Sequence, residues 1–137
     1  FDFNIRPTRW NKKNLNNFLD SVLKFVDICF LSGEDMNYWK NKNDIKSYEQ
    51  IVKKYKIKHS IFRKNAEFTY VFLNKTKYVF KNKLLKKVVD TSGAGDGFNA
   101  AYLSNFIVNN DPVLALKAGS SLGSKIVMKK GAIVDVK

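Results

Sequence analysis

Three glycines and two acids are compressed into Asp90-Thr91-Ser92-Gly93-Ala94-Gly95-Asp96-Gly97. An apolar pair, Val88-Val89, precedes this run, and Phe98, Ala101, Tyr102 and Phe106 follow it at helical spacing. Such a turn leaves bare backbone N–H groups at the start of a helix, aimed beyond the end of the preceding strand. The amides and the positive end of the helix dipole are fixed before any reaction. They therefore suit negative charge developing on a transferring phosphoryl group. An anion hole is the chemistry this segment permits. Asp96 is an acid among groups that attract anions, and it has two readings. It could accept the proton of an attacking hydroxyl, as phosphoryl transfer to an alcohol requires. It could equally cap the helix, which the same dipole favours.

Other glycine loops do not match. A Walker loop needs Lys-Ser/Thr directly after its last glycine, where this chain has Phe98 after Gly97. A dinucleotide loop needs glycine at its first, third and sixth positions, and counting from Gly93 the sixth is Phe98. A methyltransferase-type loop also differs in phase, because the glycines fall three, five and seven residues after Asp90.

The elements that must position this turn alternate in type. Phe1–Ile5 has strand composition and is broken by Pro7. Leu15, Phe18, Leu19, Val22, Leu23 and Val26 recur at helical steps, and Ile28–Leu31 is an apolar run of strand length. Ser32 can cap a helix beginning in the turn Ser32-Gly33-Glu34-Asp35. Asp44–Tyr55 reads as an amphipathic helix with Lys46, Lys53 and Lys54 on its solvated face. From Ile57 the pattern has period two: Ile57–Arg63, Phe68–Leu73, a turn at Asn74-Lys75-Thr76, then Tyr78–Phe80. After the glycine turn, one helix runs to Asn109-Asn110 and a second starts at Asp111-Pro112 and reaches Gly131. This alternation is an α/β signature. The aromatics Phe62, Phe68, Tyr70, Phe72, Tyr78 and Phe80 interleave with lysine. They could form a nucleic-acid platform of stacking rings, but on a sheet they more commonly form its packed face.

The 137 residues are 45% hydrophobic and 27% charged, with a mean hydropathy of −0.32. That describes a water-soluble globular chain with length for one domain. Lys and Arg total 25 against 12 Asp and Glu, a formal charge of +13. The excess attracts anions, nucleotides and nucleic acids alike, without choosing among them. The single Cys29 lies in an apolar run and reads as a small core residue. No apolar stretch approaches the ~20 residues of a membrane span, and no charged start precedes an apolar segment as in a secretory signal. A cytoplasmic protein with no membrane partner is expected. The chain opens on a strand, without Met, which suggests a piece of something larger.

Asp90-Thr91-Ser92-Gly93-Ala94-Gly95-Asp96-Gly97-Phe98 resembles, almost residue for residue, the signature D-T-x-G-A-G-D-x-F of the ribokinase-like (pfkB) carbohydrate kinases. The resemblance implies that Asp96 deprotonates the sugar hydroxyl. It also implies that Gly93, Ala94, Gly95 and the Asp96 amide form the anion hole for the γ-phosphate of ATP. Phe1–Trp10 looks like the D-x-N-x-R-x-x-x-W segment of 2-keto-3-deoxygluconate kinases and, more loosely, of fructokinases. That similarity places Asn4 and Arg6 near substrate and phosphate, where a guanidinium suits a sugar-acid carboxylate or a phosphate oxygen. Trp10 is read as packing.

Departures accompany the matches. The family's N-x-x-E motif, which helps organise Mg²⁺ and the phosphates, corresponds to Ser32-Gly33-Glu34-Asp35. Glu34 and Asp35 then stand for the Mg²⁺ shell, reaching the ion through water. Two glycines expected near the nucleotide are Asn65 and Phe68, so that hairpin should be reshaped. Ser120 stands where many relatives place an Asn near the adenine. Asp90, Thr91, Asn65 and Ser120 are thus assigned to the nucleotide side.

The expected fold is the C-terminal portion of a ribokinase-like three-layer α/β/α domain, with a mainly parallel central sheet and a β-hairpin. The N-terminal substrate and lid part would be absent, and the chain alone inactive. The implied reaction is ATP-dependent, Mg²⁺-assisted phosphorylation of a sugar or sugar acid, with other sugar kinases of the family as alternatives. A non-catalytic nucleotide-binding remnant is a further alternative, and a basic nucleic-acid-binding module is the disfavoured one. Homo-oligomerisation is left open for a complete protein.

Overall fold

The computed structural model describes residues 1–136, and the chain divides into two compact units, Phe1–Lys81 and Asn82–Lys137. In the first unit, Asn11 caps α1 (Lys12–Val22) by accepting from the Asn14 amide at 2.8 Å. The apolar stripe buries Leu15, Leu19 and Leu23, but the α-helix ends at Val22 and a 3₁₀ turn, Leu23–Phe25, completes it. β1 (Ile28–Ser32) follows, then α2 (Gly33–Lys40), α3 (Ile45–Tyr55) and β2 (His59–Arg63). β3 (Phe68–Leu73) and β4 (Thr76–Lys81) form the hairpin. Asp44 caps α3 through the Ser47 amide at 2.9 Å.

The sheet order is β1-β2-β3-β4. β1 and β2 are parallel, with Ile28 opposite His59 and Ser32 opposite Arg63. The β2–β3 and β3–β4 pairs are antiparallel. The α/β class is as expected, while the sheet of these residues is mixed rather than mainly parallel. The reason is local: Asn74 and Lys75 both adopt left-handed backbone, a tight primed turn that folds β4 back on β3.

The opening segment runs beside β1 without becoming a full strand. Phe3 donates to the Phe30 carbonyl at 3.1 Å and Phe30 to the Phe1 carbonyl at 2.9 Å, giving one parallel bridge at Asp2. Asn4 at φ 37° then turns the chain out of the ladder, and Pro7 has no N–H to resume it. Phe3 and Ile5 still point into the core with Leu31, Met36, Trp39 and Phe62. Tyr48 of α3 stacks on Phe62 with ring centroids 4.4 Å apart. Of the six interleaved aromatics, Phe62 and Phe72 are buried and the other four half-buried, so they pack rather than stand out as a stacking platform. Cys29 is a core residue whose thiol burial pushes up to about 12, out of reach of nucleophilic chemistry at neutral pH.

In the second unit, α4 (Ala94–Asn109) and α5 (Pro112–Ile126) form a helical hairpin. Asp111 caps α5 by accepting from Val113 and Leu114 at 2.7 and 3.0 Å. Phe98, Tyr102 and Phe106 stack in succession along α4. Val88 and Val89 join no ladder among the described residues. The amides of Val89 and Asp90 instead both donate to the Val127 carbonyl, at 2.8 and 3.2 Å. The strand expected there needs a neighbour to pair with, and the Val127 carbonyl takes its place. Among the described residues no helix is long and apolar enough to cross a membrane.

Candidate active site

Within the second unit, the glycine turn is built by backbone geometry and one carboxylate. Gly93 is left-handed (φ 74°), and a Cβ there would lie 2.6 Å from the Ala132 carbonyl oxygen, so only glycine fits. Asp90 braces the turn: one carboxylate oxygen accepts from the Ser92 amide and the other from the Gly131 amide, each at 2.9 Å. The Ser92 and Gly131 amides hold its carboxyl below the usual carboxylate range. The Thr91 carbonyl accepts from the Ala94 amide at 3.2 Å, and helical bonding begins with Gly97 to Gly93 at 2.9 Å. Between them the amides of Gly95 and Asp96 donate to no atom among the described residues.

Asp96 occupies the first turn of α4, exposed, and its carboxylate has no hydrogen-bond or ion-pair partner among the described residues. Its carboxylate does not reach back to cap the helix. Of the two sequence readings, capping is therefore not the arrangement found. Bare amides beside an unengaged carboxylate can hold an anionic group and accept a proton from a hydroxyl brought to it. Ser120, on α5, donates from Oγ to Asn82 Oδ1 at 2.7 Å. Asn82 had no distinguishing signal in the sequence, since the pairing spans 38 residues.

The remaining candidates lie in the first unit. Asn4 and Arg6 are exposed because they alternate with buried Phe3 and Ile5. They line an open depression of about 510 Å³ together with Thr8, Arg9 and Trp10. Arg9 is a second cation there that the motif did not single out. Trp10 packs on Phe18 (ring centroids 5.0 Å apart) and accepts from Tyr38 Oη at its carbonyl, as expected for a packing residue, while also forming one wall.

Asp35 is not disposed as expected for a Mg²⁺ shell. One oxygen accepts from the Ile5 amide at 2.6 Å, and the other from Ser32 N and Oγ at 3.2 and 2.7 Å. Ser32 Oγ in turn accepts from the Asp35 amide, completing a capping box. The Ser-x-x-Asp spacing carried that signal, because an acid three residues after a cap closes such a box. Asp35 is thus the buried brace between α2 and the segment carrying Asn4 and Arg6, while Glu34 remains exposed to solvent. Asn65 is also a shaping residue: its Oδ1 accepts from the Glu67 and Phe68 amides at 3.0 and 2.8 Å. Neither Asn65 nor Phe68 has positive φ, so the hairpin is reshaped through a side-chain turn instead of left-handed backbone.

No cluster of three acid, His or Cys side chains suited to a metal occurs among the described residues. Mg²⁺ carried on nucleotide phosphates needs only one or two carboxylates and retains waters. Exposed Glu34 fits that requirement better than Asp35.

A parallel βαβ unit makes the first unit α/β, and in the second a helix carries bare amides beside an unengaged carboxylate. The chain belongs to the pfkB family of carbohydrate kinases, whose profile matches residues 1–137. It is 28% identical over 139 residues to the 2-dehydro-3-deoxygluconokinase of Haemophilus influenzae, covering 98% of this chain and 44% of that protein. The fold is ribokinase-like. The fructokinase of Vibrio cholerae O395, solved with fructose, ADP and calcium, superposes with a TM-score of 0.84 at 23% identity, over 99% of this chain and 46% of that one. Aminoimidazole riboside kinase from Salmonella enterica, complexed with aminoimidazole riboside and an ATP analogue, gives 0.85 at 20% identity, over 100% and 48%. The chain spans about 41–45% of the length of the curated relatives it matches.

Proposed function

We propose that these residues form the nucleotide-side part of a kinase that transfers the γ-phosphoryl group of ATP to a hydroxyl of a sugar acid, with 2-dehydro-3-deoxygluconate as the first candidate. The observation that carries this reading is the unengaged Asp96 carboxylate beside the bare Gly95 and Asp96 amides. Asp96 takes the proton of the attacking hydroxyl. The amides following Gly93 hold the charge that develops on the transferred group. Arg6 and Asn4, with Arg9, contact the acceptor's carboxylate or a phosphate, and Glu34 serves the metal through water. Bound Mg²⁺ supplies charge neutralisation on the phosphates. Asp90, Thr91 and Asn65 shape the nucleotide side, and Ser120 with Asn82 presents polar atoms there. The relatives named 2-dehydro-3-deoxygluconokinase support the choice of acceptor.

The chain by itself is expected to be inactive, so a coupled ADP-release assay on a full-length protein containing these residues tests this, with 2-dehydro-3-deoxygluconate and fructose as competing acceptors. Turnover on the sugar acid is expected, with Asp96→Asn abolishing it while ATP still binds. Asp96→Asn turnover within tenfold of the parent would sink the assignment. The capture of both Asp35 oxygens by Ser32 and Ile5 favours one second reading, a nucleotide-binding remnant without catalysis. ATP binding with no acceptor-dependent ADP release would select it.

A further inference from the structure

A second cavity, of about 750 Å³, opens at the end of β2 away from Arg63. The last turns of α3, the residues entering β2 and the β3–β4 turn enclose it. Its floor is carbon, from Val52, Ile57 and Phe72. Lys53, Lys56, Lys58, Lys75 and Lys77 surround that floor, against one acid, Glu49. Glu49 reaches Lys77 at 3.1 Å, and among the described residues the other four lysines have no carboxylate within ion-pair distance. The C-terminal end of α3 adds only about half a negative charge.

The backbone supplies an independent observation. Lys56 follows α3 at φ 55° and Lys75 is the second residue of the primed turn at φ 71°. Glycine is favoured at both kinds of position, and left-handed backbone is costly for a residue carrying a Cβ. A lysine-rich composition distributes lysine broadly, but it does not by itself place two at positions suited to glycine on the rim of one cavity. Local strain of this kind points towards function.

We propose that this cavity binds a small amphipathic anion, a phosphate group on an apolar body, using none of the proposed phosphoryl-transfer residues. The apolar body lies on Val52, Ile57 and Phe72 and the phosphate meets the lysines. Complementarity of charge selects the anion, and the carbon floor selects an organic phosphate over the bare ion. A pocket of this size suits a small ligand rather than an extended polymer.

Hexyl phosphate titrated into the chain, followed by amide chemical shifts and calorimetry, tests the proposal. Saturable binding is expected, with shifts concentrated in residues 49–58 and 72–77 and affinity at least tenfold tighter than for inorganic phosphate or hexanol. The double variant Lys56→Gly/Lys75→Gly should melt no lower than the parent yet bind at least tenfold more weakly. Lys53→Gln/Lys58→Gln, which leaves the left-handed positions alone, should also weaken binding. The proposal is overturned by non-saturating shifts, by inorganic phosphate binding as tightly as hexyl phosphate, or by undiminished affinity in both double variants. Preferential capture of a short oligonucleotide or acidic peptide at the same residues would overturn it too.

Discussion

The first unit, Phe1–Lys81, combines a four-stranded sheet with three helices around a continuous core, in which Leu23, Leu31, Met36 and Phe62 are fully buried. The unit beginning at Asn82 has two helices and few buried apolar side chains, chiefly Phe98, Tyr102, Leu116 and Ile126. It leaves Ile107, Val108, Met128 and Ile133 largely exposed. Yet the unit with less burial carries the glycine turn and Asp96. The contrast separates two physical demands. Stability follows apolar burial, whereas bare backbone donors need only be held in place, and a left-handed glycine and one bracing carboxylate do that here.

The contrast can be broken at several points. Phe62→Ala removes a fully buried ring stacked on Tyr48 and should cost about 3–5 kcal/mol. Denaturant unfolding monitored in the first unit will read this; a loss below 1 kcal/mol would mean that core is not where stability resides. Asp35→Ala removes the capping box and strands the Ile5 amide, for about 2–3 kcal/mol. The same variant should raise the amide exchange rate of Ile5, which an unconnected cap loss would leave unchanged. Gly93→Ala forces a Cβ into left-handed backbone and onto the Ala132 carbonyl, for about 1–3 kcal/mol. ATP affinity, measured by calorimetry, should fall alongside it because the amides move.

Acid should also weaken the first unit. Burial holds His59 at about 4, below its ordinary 6.5. Between those values the unfolded chain binds the extra proton, so stability is intact above pH 6.5 and declines as pH falls towards 4. The melting temperature should drop between pH 7 and pH 5, and a flat profile would contradict this. Asp96→Asn should have the smallest effect on folding, within about 0.5 kcal/mol. The side chain makes no hydrogen bond or ion pair among the described residues, so a large drop in melting temperature would show that Asp96 is structural.

Much of the fold was legible where one element carries its own pattern. The stripe Leu15, Leu19, Leu23 and the caps Ser32 and Asp111 each act over three or four residues, and each does what its spacing suggests. The strands that were misjudged depend on neighbours. Phe1–Ile5 leaves its ladder at Asn4 after one bridge at Asp2, and the Val89 amide donates to Val127 instead of to a strand. At the candidate site, the bare amides that the glycine turn leaves at the start of a helix were readable. The true employment of Asp35 was only half visible, since its bond to Ile5 crosses 30 residues.

The residue types alone therefore determined the α/β alternation, the helix starts and the cluster of amides with an acid at Gly93–Asp96, because propensity, capping and left-handed turns are short-range effects. Tertiary structure decided which carboxylates are occupied. Asp90 is held by Gly131 from 41 residues away, Asp35 by Ile5, and Ser120 by Asn82, while Asp96 keeps both oxygens unengaged among the described residues. Hydrogen-bond partners brought together by chain folding leave no periodic trace in the sequence, so the difference between a bracing acid and an unengaged one emerges only once the chain has packed.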